Sequence, residues 1–530
     1  MSIPTLSLTE PWPGFAQGRA REVLAREILP GYLSRQRWFP AKARALSGVA
    51  VDEAIPLPLG HACLYVVSVA YVDGGPHRFA VPVAFASGDL EARVRREAPG
   101  RVLAVVEGKA SGVLHDDMTA GIGASLALAM ARDLTWPTTA GTIAGTRTPA
   151  FDQIARGLDV GTCEVRAIAG EQSNTSIILG DRVILKLIRR LEAGLNPDYE
   201  IGRHLSERVP FAGVPALAGA VLWRDAGAEP TVLAVAQAYV AGAVPLRERV
   251  VTAIAAFMRR HLPSLESDGT WTAPPGACAE LFDAAAALGR KTGELHLALA
   301  DAHGDPAFEP APANAGDLGA IARDMRAQLD LAFAALSAPA QALPPSAAAL
   351  ASRVLDSKGL FTSAVDAVAR VSPGLARIRV HGDYQLDQVL WAGGDFVIID
   401  FEGEPLRPLA ERRAKFLALK DVAGMARSYS YAAYAALFDV AADDEGMADC
   451  LEPLARWWQR AASDAFVSGY CEVAGRAPFV PASPRDFDTV LSAFLVEKAT
   501  YELRYEIGHR PRWLRIPLRG MADLLDRLGP

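Results

Sequence analysis

The period of the hydrophobic pattern changes along the chain. Val49–Pro56, Cys63–Val72 and Arg78–Phe85 are apolar runs of strand type, parted by turn signals at Leu59-Gly60 and Gly74-Gly75-Pro76. A helical spacing runs into them through ILPGYLSRQRWF, so residues 1–95 read as a helix over a small antiparallel sheet. Residues 96–243 mix one helix, Ile122–Leu134, with short strands at Arg166–Ala169, Thr175–Leu179 and Arg182–Ile188. The strand Thr231–Val240 reads as the edge leading to a hinge. Beyond 244 the spacing turns helical, through Phe282–Ala300, Leu318–Leu336, Phe416–Leu437, Leu454–Val473 and Phe487–Ile507. One strand pair interrupts it near 378–400, and SAPAQALPPSAAAL at 337–350 reads as a surface connection. The pattern predicts an α+β chain with a sheet-rich front, a helical back and a cleft between two lobes.

Composition narrows the function. With 54 Lys plus Arg against 61 Asp plus Glu the net charge is −7, and no basic run stands out, so nucleic acid and anionic membranes are poor partners. No apolar stretch reaches the ~20 residues of a membrane span, and MSIPTLSLTEPWPGF lacks the marks of a signal peptide. Five dispersed cysteines suit a reducing compartment and exclude a zinc cluster or disulfide framework. The expectation is a cytoplasmic protein.

Several short motifs carry little. Gly121-Ile122-Gly123 has Leu126 where a dinucleotide fingerprint needs its third glycine, and Gly289-Arg290-Lys291-Thr292 lacks the upstream glycine of a P-loop. His296 and His303 have no metal-binding partner at helical spacing. Packing or solvated surface accounts for each.

The segment IRVHGDYQLDQVLWAGGDFVIIDFEGEP is different. His381-Gly382-Asp383 breaks a strand into a loop and Gln388 follows five residues after Asp383. Gly393-Gly394 then turns a hairpin whose second strand ends on Asp400. Phosphoryl transfer needs a carboxylate on the attacking hydroxyl and oxygen ligands for Mg²⁺ on the nucleotide phosphates. Asp383 fits the first task; Gln388 and Asp400 fit the second. In the front half, the loop Gly170–Ser176, with Gln172, Ser173, Asn174, Thr175 and Ser176, offers N–H groups and hydroxyls to phosphates. Lys186 on the next strand and Glu200 on the helix Pro197–Leu205 fit the phosphate-binding lysine and its helix glutamate. Adenine would then lie beside Gln237, Tyr239 and Val240.

Those stretches, with GYLSRQRWFPAK, LGRKTGELHLALA, DVAGMARS and EKATYELRYEIGHRPRWLRIPLRG, resemble the maltokinase family, relatives of the aminoglycoside phosphotransferases. The resemblance implies a protein-kinase-like bilobal fold with an N-terminal cap over 1–95, an intermediate subdomain and N-lobe over 96–243, and a helical C-lobe over 244–530. It further implies Mg²⁺-dependent transfer of the ATP γ-phosphate to maltose, giving maltose 1-phosphate on the route from trehalose to α-glucan, and association with trehalose synthase. Glu497, Tyr501 and Tyr505 recur every four residues on one helix face, beside Glu502. The resemblance favours sugar contact for them over core packing. Two loop positions depart from the family's usual HGD-x-H-x-G-Q: Gln385 replaces the histidine and Asp387 the glycine. A carboxylate added there suggests a cationic acceptor, so an amino-sugar kinase such as a glucosamine kinase stands beside the maltose reading. A pseudokinase partner of trehalose synthase is a third possibility, opposed by the complete set of Lys186, Glu200, Asp383, Gln388 and Asp400.

Overall fold

A computed structural model of the chain describes residues 3–8, 18–39, 44–57, 59, 62–119, 121–168, 173–225, 227, 229–264, 271–338, 343, 345–405, 407–442 and 444–528. They form two compact units of mixed α+β structure, in keeping with the expected fold class. The first comprises Met1–Pro210, Pro215–Ala241 and Pro405–Arg412; the second comprises Phe211–Val214, Gly242–Glu404 and Arg413–Pro530.

The first unit holds two sheets. One contains β1 (Thr5–Leu8), β2 (Leu46–Pro56), β3 (Ala62–Tyr71), β4 (His77–Ala86), β5 (Val102–Gly108) and β6 (Gly112–Asp116), in the order β1-β5-β6-β4-β3-β2. Only β1 and β5 run parallel along this order. Its continuation through β5 and β6 carries the sheet past residue 95. Alternation along β3 explains why the sheet has two apolar faces. Cys63, Tyr65, Val67 and Val69 meet Leu24, Ile28, Leu29 and Leu33, from the stretch containing α1 (Gly18–Val23) and α2 (Leu29–Leu33). Leu64 and Val66 join the opposite core, with Leu126 and Met130 of α4 (Ile122–Ala131). A short α3 (Gly88–Glu97) precedes β5.

The second sheet contains β7 (Thr135–Pro137), β8 (Gly141–Arg147), β9 (Val165–Ala167), β10 (Thr175–Leu179), β11 (Val183–Leu187), β13 (Leu217–Asp225) and β14 (Thr231–Ala238), in the order β7-β8-β13-β14-β11-β10-β9. The two-residue β12 (Arg190–Leu191) instead pairs with β4. The edge position expected for the 231–240 strand is thus corrected: β14 is central, paired with both β13 and β11, and its apolar run TVLAVA is buried. Helices α5 (Phe151–Ile154) and α6 (Pro197–Arg203) complete this part.

The second unit is chiefly helical: α7 (Leu246–His261), α8 (Ala279–Leu299), α9 (Ala315–Leu336), α10 (Pro345–Asp356), α11 (Lys358–Asp366), α13 (Leu419–Ala441), α14 (Glu445–Ala474), α15 (Pro484–His509) and α16 (Arg515–Leu528); α12 (Leu409–Arg412) lies in the first unit. The connection expected over 337–350 is shorter, because the alanine-rich end already belongs to α10. Gly289 lies within α8 at a close helix crossing, where an added Cβ would stand 2.0 Å from the Phe466 carbonyl of α14. Its glycine is a packing requirement, not part of a phosphate loop. Short strands β15 (Val244–Pro245), β16 (Ala311–Pro312), β17 (Ala376–Arg377), β18 (Val389–Ala392) and β19 (Asp395–Ile398) thread among the helices. Among the described residues no helix is long and apolar enough to cross a membrane.

Candidate active site

The hairpin forms as its glycines require. β18 and β19 pair Val389 with Ile398 and Ala392 with Asp395, and Gly393 and Gly394 turn the chain at φ +59° and +92°. At its base the Ile399 N–H donates to the Gln388 carbonyl at 2.9 Å, which sets Gln388 against the residue preceding Asp400. Asp400 is itself left-handed, at φ +68°. Carboxylate oxygens of Asp400 and Glu402 come within 4.8 Å of one another, a spacing and a donor chemistry that a hard cation such as Mg²⁺ can share. Glu402 had not been anticipated, though DFEG contains it.

One face of α13 holds the preceding loop. Asp421, Gly424 and Ser428, at positions i, i+3 and i+7, all meet residues 381–386. Asp421 accepts from the His381 N–H at 2.7 Å and the Gly382 N–H at 2.9 Å, and His296 Nε2 of α8 lies 3.1 Å from it. A carboxylate only accepts, so that nitrogen carries a proton, and the Tyr470 hydroxyl lies 3.0 Å from His296 Nδ1. Burial pushes the Asp421 pKa up. The His296 hydrogen bond, the His296 and His381 charges and the Gly382 N–H outweigh this, leaving the carboxyl below its ordinary value. Ser428 Oγ accepts from the Leu386 N–H at 2.9 Å. Gly424 allows the close approach, since a Cβ there would stand 2.7 Å from the Tyr384 carbonyl. Gly424→Ala is expected to cost about 1–3 kcal/mol of stability by overpacking, read as a lower thermal midpoint. An unchanged midpoint would mean that the loop is not clamped here.

The loop opens on a pocket of about 450 Å³ lined by residues that include Arg247, Asp383, Gln385, Asp387, Tyr431, Lys498, Tyr501, Glu502, Tyr505, Glu506, Arg510 and Trp513. Five of the six expected sugar residues line it; Glu497 does not. Tyr501 and Tyr505 are 41% and 43% exposed, so the stripe is not core packing. Lys498 Nζ lies 3.1 Å from Asp383 Oδ1. Glu502 is buried and held by Arg427 at 2.7 and 3.1 Å, while Glu506 is held by Arg510 at 2.7 and 3.0 Å and by the Tyr431 hydroxyl at 3.1 Å. Asp387 is held more loosely: Arg247 Nε is 3.7 Å away and the side chain is 55% exposed. Burial chiefly raises the Asp387 pKa, and the charges of Asp383 and Glu248 add to this against the opposing pull of Arg247.

In the first unit, Lys186 of β11 lies 3.0 Å from Asp198, a buried first-turn residue of α6 whose N–H is capped by Asn196. Asp198 thus gives the lysine a carboxylate partner, and the expected Glu200 lies two residues on in the same turn, also buried. Asn174 and Thr175 turn their side-chain oxygens to Arg189, accepting from its N–H at 2.9 Å and its Nε at 2.8 Å. Arg189 also donates to Asp116 at 2.7 Å, and Asp116 accepts from Tyr32 at 2.7 Å, which ties the end of the loop to the first sheet. Ser176 is buried on β10, Ser173 is exposed, and Gln172 lies outside the described residues. Gln237 is the penultimate residue of β14, with Tyr239 and Val240 just beyond its end, where the Tyr239 N–H donates to the Arg182 carbonyl at 2.8 Å.

Sequence reasoning missed Arg247, Tyr431, Glu506, Arg510 and Trp513, and gave Asp421 no role. A signal existed: DVAGMARS and EKATYELRYEIGHRPRW carry polar residues at helical spacing within apolar helices.

A lysine-bearing antiparallel sheet, an HGD loop clamped by a buried aspartate and a hairpin ending on a carboxylate are the elements expected of a protein resembling the aminoglycoside phosphotransferases. Residues 32–116 match the maltokinase N-terminal cap domain. The match and the relatives that follow liken the chain to cap-bearing kinases that resemble the aminoglycoside phosphotransferases. It is 28% identical over 363 residues to a glucosamine kinase of Streptacidiphilus jiangxiensis, covering 68% of this chain and 73% of the relative. It is 29% identical over 371 residues to a glucosamine kinase of Mycolicibacterium smegmatis, covering 68% and 79%. The fold matches a solved glucosamine kinase in complex with glucosamine, ADP and inorganic phosphate, with a TM-score of 0.61 at 23% identity over 98% of this chain and all of that one.

Proposed function

We propose that the protein is an ATP-dependent sugar kinase whose acceptor is an amino sugar, with glucosamine the leading candidate. The observation that carries the reading is the pocket, where Asp383 shares one wall with exposed tyrosines and three further carboxylates. Tyrosine faces suit the C–H faces of a pyranose, and the carboxylates suit its hydroxyls and an ammonium group. The relatives named above are glucosamine kinases, one of them holding glucosamine and ADP. In this reading Asp383 accepts the proton of the attacking hydroxyl, and Lys186 with the 172–176 loop holds the nucleotide phosphates. Mg²⁺ bound by Asp400 and Gln388, with Glu402 in support, supplies charge neutralisation on those phosphates.

Asp387 is the residue assigned to the ammonium. Its side chain is open to solvent, the nearby Arg247 stands beyond hydrogen-bond distance, and the neighbouring Asp383 and Glu248 add to a raised pKa, so an arriving ammonium finds a carboxylate it can pair with. Wild-type enzyme should prefer glucosamine over glucose, and Asp387→Asn should reduce that preference about ten- to a hundredfold, the worth of a charge-assisted hydrogen bond. The preference should also fade as pH falls and Asp387 takes up its proton. A coupled ADP-release assay over glucosamine, glucose and maltose decides. Turnover of maltose with none of glucosamine would end the amino-sugar reading.

Maltose is the second reading, favoured by the cap match and by an aromatic pair in the pocket lining. There Tyr431 and Trp513 stack at 6.2 Å and 26°, an aromatic surface that suits a second ring.

A further inference from the structure

An amino sugar poses a problem that a neutral sugar does not. It brings one ammonium and several hydroxyls into a pocket lined by four carboxylates: Asp383, Asp387, Glu502 and Glu506. An ammonium that paired with Asp383 would put the amine where a hydroxyl must react and would occupy the group that takes the proton.

We infer that Lys498 prevents this, and is a specificity-determining residue that keeps the acceptor's ammonium away from Asp383 so that a hydroxyl is presented there. The inference rests on the reading that Asp383 acts on an amino-sugar hydroxyl. Lys498 rises from α15 to bring Nζ within 3.1 Å of Asp383 Oδ1, and its side chain is only 17% exposed. The ammonium also lies 5.1 Å from the ring centre of Tyr501, a cation–π contact that holds it in the pocket wall. Burial favours the neutral amine, but the charges of Asp383, Glu404 and Glu502 prevail and keep Lys498 protonated well beyond the ordinary lysine range. A hydroxyl can hydrogen-bond to Asp383 beside this cation; a second ammonium meets like-charge repulsion in a partly dehydrated pocket.

The other carboxylates complete the argument. Glu502 and Glu506 are each held by an arginine in two hydrogen bonds. Among the described residues Asp387 is faced by Arg247 at 3.7 Å, beyond hydrogen-bond reach. The pocket therefore guards one aspartate with a close cation and leaves the other, four residues along the same loop, open to the ammonium. The charge pattern orients the sugar before chemistry begins.

The test is glucosamine binding to the ADP-loaded enzyme, followed by titration calorimetry, with steady-state kinetics alongside. Lys498→Met should tighten glucosamine binding about tenfold, because Asp383 becomes a second ammonium site, and should not tighten binding of N-acetylglucosamine, which has no charge. On glucosamine, kcat and KM should fall together, the sign of unproductive binding. Lys498→Arg should restore wild-type behaviour. The tightening should vanish in Lys498→Met/Asp383→Asn, which separates a local effect from the general loss of a positive charge. Weaker binding of both sugars with a lowered melting temperature would make Lys498 a packing residue. A lower kcat with unchanged glucosamine affinity would make it a group that acts on the phosphoryl. Either result overturns the inference. Wild-type enzyme that turns over no amino sugar overturns the functional reading first, before any variant is made.

Discussion

Asp383→Asn is expected to lower kcat by about 10²–10⁴-fold, the usual contribution of a group that takes or orients a proton in the transition state. Nucleotide affinity should hold, because the residues assigned to the phosphates lie on β10, β11 and the loop before them. Stability should change little: Asp383 is only partly buried, and its partner Lys498 has other carboxylates around it. Single-turnover rates beside ADP affinity check both halves. A variant keeping more than about a tenth of wild-type kcat would remove Asp383 from the chemistry.

Asp421 should show the largest effect on stability. Its carboxylate is 1% exposed and receives two loop N–H groups and His296, so Asp421→Ala leaves three buried donors without their acceptor. Loss of one partner from a buried charged network costs about 3–5 kcal/mol, and turnover should fall with it because Asp383 follows Gly382 directly. The pH dependence has a defined sign. A carboxyl whose folded pKa is depressed contributes stability above its unfolded value of about 3.9, and loses it as pH falls through the folded value. Thermal melts of wild type and Asp421→Asn should therefore converge in acid and diverge towards neutrality. Parallel curves at all pH values would mean that the ionised form is not what holds the loop.

The parts legible in the sequence are those written in local spacing. The HGD loop, the Gly393-Gly394 hairpin and helices α8, α9, α13 and α15 each rest on neighbours a few positions apart and stand close to where the pattern puts them. Helix α14, by contrast, begins at Glu445 and not Leu454, and α7 was not anticipated. Partners made by tertiary packing were not legible. Nothing near His381 points to Asp421, 40 residues on, and nothing near Asp383 points to Lys498, 115 residues on. The Asp198 partner of Lys186 had the same limit, since its place in the first turn of α6 does not by itself show which side chains it meets. β14 was misjudged because strand order is set by pairing across the sheet, whereas the sequence shows only that the run is apolar.

The clamp on α13 and the tyrosines on α15 separate two burdens that many enzymes load onto one element. The loop bearing Asp383 is held chiefly by Asp421, a buried carboxylate that is not among the residues lining the pocket. In the proposed reading the sugar meets side chains such as Tyr501 and Tyr505, whose exposure means that little folding energy depends on them. Acceptor range can thus drift by surface changes on one helix while the machinery on the other stays intact, which makes α15 the natural place to retool this scaffold for a different sugar.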